Sequence, residues 1–190
     1  MTTATDKLTL EEYFNYENSE EQHWELSAGN LIQMPPESPQ NAEIAIKLLL
    51  IFAQFVAPGL LRCKDTEIVV SGSRTTVRLP DLMVLTAELA DALRSFGRST
   101  IMSDMSPPAL VVEVVSPGKV NQDRDYRYKR SEYAARGIAE YWIVDPQINK
   151  VTVLILNEGL YEEKVFEGEQ AIASCLFPQL QLTAERIFFS

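Results

Sequence analysis

The sequence predicts an α+β (or α/β) fold in which helices pack against a mixed β-sheet. Short β-branched runs bounded by turn formers alternate with longer segments of helical periodicity. The chain has 190 residues, 46% apolar and 23% charged, the balance of a folded protein with a real core. No internal repeat, low-complexity tract or linker interrupts it, so residues 1–190 read as one domain.

Each element has its own signal. "TLEEYFNYEN" opens on Thr9 with Glu12 three residues on, the capping-box pattern of a short helix. "HWELSAGNLIQM" alternates around the small-residue turn at 27–30 and predicts a hairpin. After the loop "PPESPQ", the apolar residues of "NAEIAIKLLLIFAQFVA" cover most of a helix surface, which predicts a largely buried helix stopped by Pro58 and Gly59. "LLRCKDTEIVV" and "TTVRLPDLMVLT" have strand character and are separated by the turn "SGSR". "AELADALRSFG" predicts a more surface-like helix ending at Gly97, and "PPALVVEVVSP" a buried strand. "NQDRDYRYKRSEYAARG" reads as a charged helix with Asn121 as N-cap and Gly137 as its stop. "IAEYWIVD", "KVTVLIL" and "LYEEKVF" supply three further strands, and "LTAERIFF" a short C-terminal helix.

Charge and residue counts exclude several kinds of chemistry. The formal net charge of −10 argues against a general basic surface coated with nucleic acid, but leaves room for a local basic groove. The single histidine, His23, reads as a surface or strand-edge residue; one imidazole makes Ser-His-Asp hydrolysis and His-rich zinc sites poor fits. Cys63 and Cys175 lie far apart with no CxxC pair, so neither a disulfide framework nor a zinc site is expected. No apolar run reaches the length of a membrane span, and "MTTATDKLTLEEYF" lacks a secretion-signal pattern. A cytoplasmic protein with no membrane partner is the expectation.

Two strands carry a charge where an apolar residue is expected. Glu113 interrupts "ALVVEVV", and Asp81 heads the apolar run of "VRLPDLMVL". An unpaired ion in such a place is costly, so pairing, metal coordination or a raised pKa follows. If the strands are neighbours, the carboxylates face each other and repel unless one is protonated or a cation sits between them. Oxygen ligands without histidine or cysteine suit Mg²⁺ or Mn²⁺ better than Zn²⁺, and the backbone carbonyl of Val114 is a further candidate metal ligand. The alternative is a structural pairing of these acids with arginines such as Arg78 or Arg127.

Asp125, Lys129 and Tyr133 are spaced i, i+4, i+8 and share one face of the following helix. Lys119, Arg124, Arg127 and Arg130 make that region locally basic. Spacing alone favours an ordinary exposed pair for Asp125 and Lys129; turned toward the strand end, Lys129 would instead present its ammonium to a substrate.

Together "WELSAGNLIQMPP", "LPDLMVL", "LVVEVVSP" and "DYRYKRSEYAARGIAEYWIVDP" resemble the Uma family, assigned to the PD-(D/E)XK, restriction-endonuclease-like superfamily. The resemblance covers about residues 9 to 165. It implies a restriction-endonuclease-like core with N-terminal and C-terminal hairpin additions and a metal site at the sheet's edge. Asp81 is similar to the motif aspartate and Glu113 to its (D/E) position. The motif lysine would fall at Val115, and the resemblance moves that role to Lys129. Glu25 matches a family acid that is a candidate to complete the site, and Tyr133 a family tyrosine. Asn41 stands where relatives often carry histidine.

The expectation is therefore an endonuclease cutting DNA with Mg²⁺ (or Mn²⁺) held by Asp81, Glu113 and Val114. Lys129 and Glu25 are the further catalytic candidates, Asp125 and Tyr133 accessory ones, and a homodimer would let two sites address two strands. The rival readings are a nuclease-fold protein that binds nucleic acid or a protein without cutting, and a hydrolase of small phosphoesters.

Overall fold

The computed structural model describes residues 7–16, 24–34, 36–70 and 75–189. His23 and the turn "SGSR" lie outside them. Helix α1 (Leu10–Phe14) has the expected capping box: the Glu12 amide donates to Thr9 Oγ1, and the Thr9 amide to the Glu12 carboxylate. Strands β1 (Trp24–Ser27) and β2 (Asn30–Gln33) form the predicted hairpin. Its two turn residues, Ala28 and Gly29, have φ of 50° and 81°, the left-handed pair of a two-residue hairpin turn. A Cβ on Gly29 would fall 2.7 Å from Lys7 Cβ, so the close approach of the chain also requires glycine.

Helix α2 (Pro39–Phe52) starts on Ser38, whose side chain caps the Asn41 amide. It departs from expectation in two ways. It ends at Phe52 rather than at Pro58–Gly59, because Gln54 and Phe55 donate to Ile51 and Phe52 in tighter i→i−3 bonds. It also buries one face only: Ile44, Leu48 and Phe52 enter the core, while Ile46 and Leu50 are 57% and 61% exposed. Pro58 and Gly59 instead begin a 3₁₀ turn (Pro58–Leu60).

The remaining strands are β3 (Leu61–Arg62), β4 (Glu67–Val70), β5 (Thr76–Arg78), β6 (Leu82–Val84), β7 (Thr100–Ile101), β8 (Leu110–Val114), β9 (Glu140–Asp145), β10 (Lys150–Asn157) and β11 (Leu160–Glu167). They form two mixed sheets where the sequence suggested one: a five-stranded sheet ordered β2-β1-β5-β4-β7 and a six-stranded sheet ordered β11-β10-β9-β8-β6-β3. Helix α3 (Ala87–Phe96) ends on the left-handed Gly97, and α6 (Ala184–Phe188) lies near the C-terminus. Among the described residues no helix is long and apolar enough to cross a membrane.

Strand β8 organises the molecule. It lies between β6, antiparallel, and β9, parallel, and all its residues are buried. Its side chains alternate between two cores. Leu110, Val112 and Val114 join Leu48, Phe52, Trp142 and Ile187 on one side, whereas Val111 and Val115 join Met83, Tyr133 and Tyr141 on the other. Glu113 therefore points to the second side.

The parallel β8–β9 pair is joined by one long helical crossover: α4 (Lys119–Asp123), a wide π turn (Arg124–Lys129) and α5 (Arg130–Arg136). Gly137, at φ 81°, ends it as predicted. Asn121 is not its N-cap. The helix starts three residues earlier, after Gly118, whose carbonyl accepts the first bonds from Asn121 and Gln122, while the Asn121 side chain donates to the Pro117 carbonyl.

Candidate functional site

The β6–β8 register pairs Leu82 with Val112 and Met83 with Val111. One step further, Asp81 stands opposite Glu113, on the same face. Asp81 Oδ2 accepts the Val114 amide at 2.5 Å, which ties the head of β6 to the end of β8. Both acids are buried, and both line a cavity of about 440 Å³ with Val114, Lys64, Glu37, Asn121, Arg124 and Lys129. Neither acid is paired with Arg78 or Arg127. Arg78 binds Glu25 at 2.9 Å and grips both oxygens of Glu132 at 2.8 Å, and Arg127 pairs with Asp123.

The Asp125–Lys129 pair is not an exposed helix pair. Lys129 is 1% exposed and Asp125 1%, and the ammonium lies 3.2 Å from Asp125 Oδ1. It also lies 2.8 Å from Glu113 Oε2 and 3.9 Å from Glu25 Oε1. The wide π turn explains the burial. It spans both residues and adds a residue to the local turn, turning both toward the sheet rather than to solvent. From α5, the Tyr133 hydroxyl donates to Glu113 Oε1 at 2.6 Å, so each Glu113 oxygen has a different donor.

Glu25, on β1, stands behind Lys129 rather than in the cavity wall. The Leu79 amide donates to its Oε1 at 3.2 Å and Arg78 to its Oε2. The sequence places it in a hairpin block; the β1–β5 pairing of Leu26 with Val77 brings it under the centre. Asn41, from the start of α2, donates to the Val114 and Val115 carbonyls at 3.4 Å. Val115 is fully buried in the second core, so the residue two after Glu113 packs where the motif would place an ammonium.

The electrostatics follow from burial. Desolvation pushes the Glu113 carboxyl up to about 7, helped by Asp81, Asp125 and Glu25 and opposed by Lys129. Burial pulls on Lys129 in the other direction, yet Asp125, Glu113 and Glu25 together raise its pKa and keep it charged. Glu25 is lowered: burial raises it, but Lys129, Arg78 and Arg124 outweigh burial. The Tyr133 hydroxyl is raised well above its ordinary value by burial and by Glu113, so it stays a donor.

Sequence reasoning missed Lys64 and Glu37, which meet each other at the cavity rim, and Glu132. Arg78 carried a usable signal, since it interrupts an apolar strand run as Glu113 does. Lys64 carried none, because its contact with Asp81 at 2.9 Å crosses between segments.

With this geometry in view, the comparisons with known proteins place the chain. The Uma2 family, described as "Putative restriction endonuclease", matches residues 10–185. The chain belongs to the Uma2 family. The fold is also that of a solved structure from Anabaena variabilis, titled "a putative nuclease belonging to DUF820". The two chains are 17% identical, and the match covers 95% of this chain and 97% of that one with a TM-score of 0.71. No curated protein matches this chain.

The superfamily to which the sequence points implies a divalent cation. Among the described residues no group of three or more His, Cys, Asp or Glu forms a protein-only cage. The residues nevertheless fit a hard ion. Mg²⁺ is usually held by one or two carboxylates with water and substrate oxygens. Asp81 and Glu113 supply two, and the Val114 carbonyl keeps a lone pair beyond its Asn41 bond. Within the cluster Glu25, Glu37, Asp81, Glu113, Asp125 and Glu132 face only Lys64, Arg78, Arg124 and Lys129. Acids outnumber bases in this Uma2 centre, and that imbalance adds to the burial that raises the pKa of Glu113.

Proposed function

We propose that this cavity is the active centre of a metal-dependent endonuclease that hydrolyses DNA phosphodiester bonds. One observation carries the reading: Asp81 and Glu113 line the same cavity from paired segments, with the Lys129 ammonium 2.8 Å from Glu113 Oε2. Asp81, Glu113 and the Val114 carbonyl would hold Mg²⁺, with Mn²⁺ as a chemically similar substitute. Such an ion supplies polarisation of the scissile phosphate and a lowered pKa for the attacking water.

The chain's own residues supply the rest. Lys129 holds a permanent positive charge at the cavity wall and stabilises negative charge developing on the attacking oxygen or the phosphate. Asp125 and Glu25 position that ammonium; Glu25 is itself held by Arg78 and the Leu79 amide. Tyr133 fixes the rotamer of Glu113 through Oε1 and leaves Oε2 toward Lys129. Arg124, in the same wall, suits contact with a backbone phosphate, which positions DNA without reading its sequence. Cutting both strands at one place calls for two centres, so a homodimer is the assembly this reading implies.

The test is nicking of supercoiled plasmid with Mg²⁺ or Mn²⁺. Wild-type protein cuts, while Asp81→Asn and Glu113→Gln fall to background with their folds intact. Wild-type protein that leaves plasmid uncut with either metal, or variants that cut as well as wild type, would end the reading.

A second reading has its own support. Each of the two acids already carries an ammonium, Lys64 on Asp81 and Lys129 on Glu113, an arrangement that also suits a nuclease-fold protein that binds without cutting. Titration with Mn²⁺ separates the two: binding that depends on Asp81 and Glu113 belongs to the nuclease.

A further inference from the structure

Lys64 lines the cavity but has no part in the chemistry outlined above. Its ammonium lies 2.9 Å from Asp81 Oδ1 and also contacts the Glu37 carboxylate. The other oxygen of Asp81 is taken by the Val114 amide. A metal on Asp81 would therefore use the oxygen that Lys64 now covers. An ammonium and a divalent cation cannot share that position, because at such separations like charges repel strongly even in a partly solvated site.

Among the described cations of this wall, Lys64 is the one free to move. The Lys129 side chain is 2% exposed and bridges buried acids, and the Arg124 side chain is 18% exposed and tied to Asp125. Withdrawing either would strand a buried charge. The Lys64 side chain is 38% exposed, so its ammonium can pass into water at small cost. Among the described residues, Glu37 Oε1 is buried with no hydrogen-bond partner, and its other oxygen contacts Lys64. The backbone of Lys64 has a φ of 37°, a conformation that side-chain-bearing residues rarely adopt. Strained positions of this kind cluster at functional sites.

We propose that Lys64 is an exchangeable counter-ion of the centre: it neutralises Asp81 in the metal-free protein, and a divalent cation displaces it from Oδ1. This rests on the metal-dependent reading given above. The exchange keeps Asp81 and Glu113 from facing each other as bare charges, and it lowers metal affinity by a built-in competitor.

The experiment is calorimetric titration of the full chain with Mn²⁺ alone, without DNA. Lys64→Gln should bind Mn²⁺ about three- to fivefold more tightly than wild type, the worth of a partly exposed ion pair. Lys64→Asn, which suits a left-handed backbone, should do the same and guards against a misfolded first variant. Arg124→Gln removes a charge from the same wall without touching Asp81 and should change affinity less. In parallel, acetylation of the Lys64 amine, read by mass spectrometry, should speed up severalfold when Mg²⁺ is added. Unchanged or weaker Mn²⁺ affinity in the Lys64 variants, an equal gain in Arg124→Gln, or Lys64 reactivity indifferent to Mg²⁺ overturns the proposal while leaving the metal site standing. If neither wild type nor variants bind Mn²⁺, the metal-dependent reading itself has failed, and this exchange falls with it.

Discussion

Lys129 and Glu113 show how burial sets the behaviour of single residues in this Uma2 protein. Lys129 neutralises Glu113 and Asp125 inside the fold. Lys129→Met should therefore lower unfolding free energy by about 3–5 kcal/mol, the usual cost of stranding buried charges, as read by urea denaturation. On the proposed function, turnover should fall more than Mn²⁺ affinity, because the proposed metal ligands Asp81 and Glu113 remain. Glu113 predicts a pH effect with a defined sign. Its folded pKa of about 7 lies above the ordinary 4.5, so the folded state holds its proton more tightly than the unfolded chain. That contribution is present in full below about 4.5 and is lost as pH rises to about 7, above which it is flat. Thermal melts of metal-free wild type and Glu113→Gln from pH 4 to 8 should diverge across that window, with wild type losing stability relative to the variant. Parallel curves would place the proton elsewhere.

At the scale of elements, the crossover from β8 to β9 carries Arg124, Asp125, Lys129 and Tyr133 on one chain segment. Its C-terminal half is anchored: Tyr133 is fully buried, and Arg136 donates to the Val69, Met102 and Met105 carbonyls. Deleting Tyr128, which is 57% exposed, should turn the π turn into an ordinary α turn. Asp125 and Lys129 would then stand three residues apart at about 100° per residue, about 60° off a common face, which separates the pair. Circular dichroism should show helix content near wild type while plasmid nicking disappears; retained nicking would mean the π turn is incidental. Gly137 tests the other end. Its φ of 81° is left-handed, and the nearest heavy atom to an added Cβ is 4.0 Å away. Gly137→Ala should therefore cost about 1 kcal/mol through the backbone alone.

The whole molecule carries a net charge of −10 and gathers Lys64, Arg124 and Lys129 at one cavity. On the proposed function, DNA would have to approach against the overall field and be held by a few cations. Under non-cleaving conditions, fluorescence anisotropy should show binding that requires a divalent ion and has a logarithmic salt slope of about −3 or shallower. A steep slope without metal would point to a basic surface elsewhere on the chain.

Local patterns were readable from the sequence alone. The hairpin around Ala28 and Gly29, the capping box at Thr9, the buried strand around Glu113 and the stop at Gly137 each depend on a few neighbouring residues. So did the suspicion attached to Asp81 and Glu113, because a carboxylate inside an apolar run is costly wherever the strand packs. Tertiary structure alone decided which partners those groups meet. Spacing put Asp125 and Lys129 on one helix face, but whether that face sees water depends on the π turn and on what the crossover covers. Arg78 went to Glu25 and Glu132, the strands divided between two sheets, and Lys64 reached Asp81, through contacts between segments distant in the chain. The physical reason is that backbone periodicity is set by adjacent residues, whereas a charge's neighbours are set by sheet register and packing.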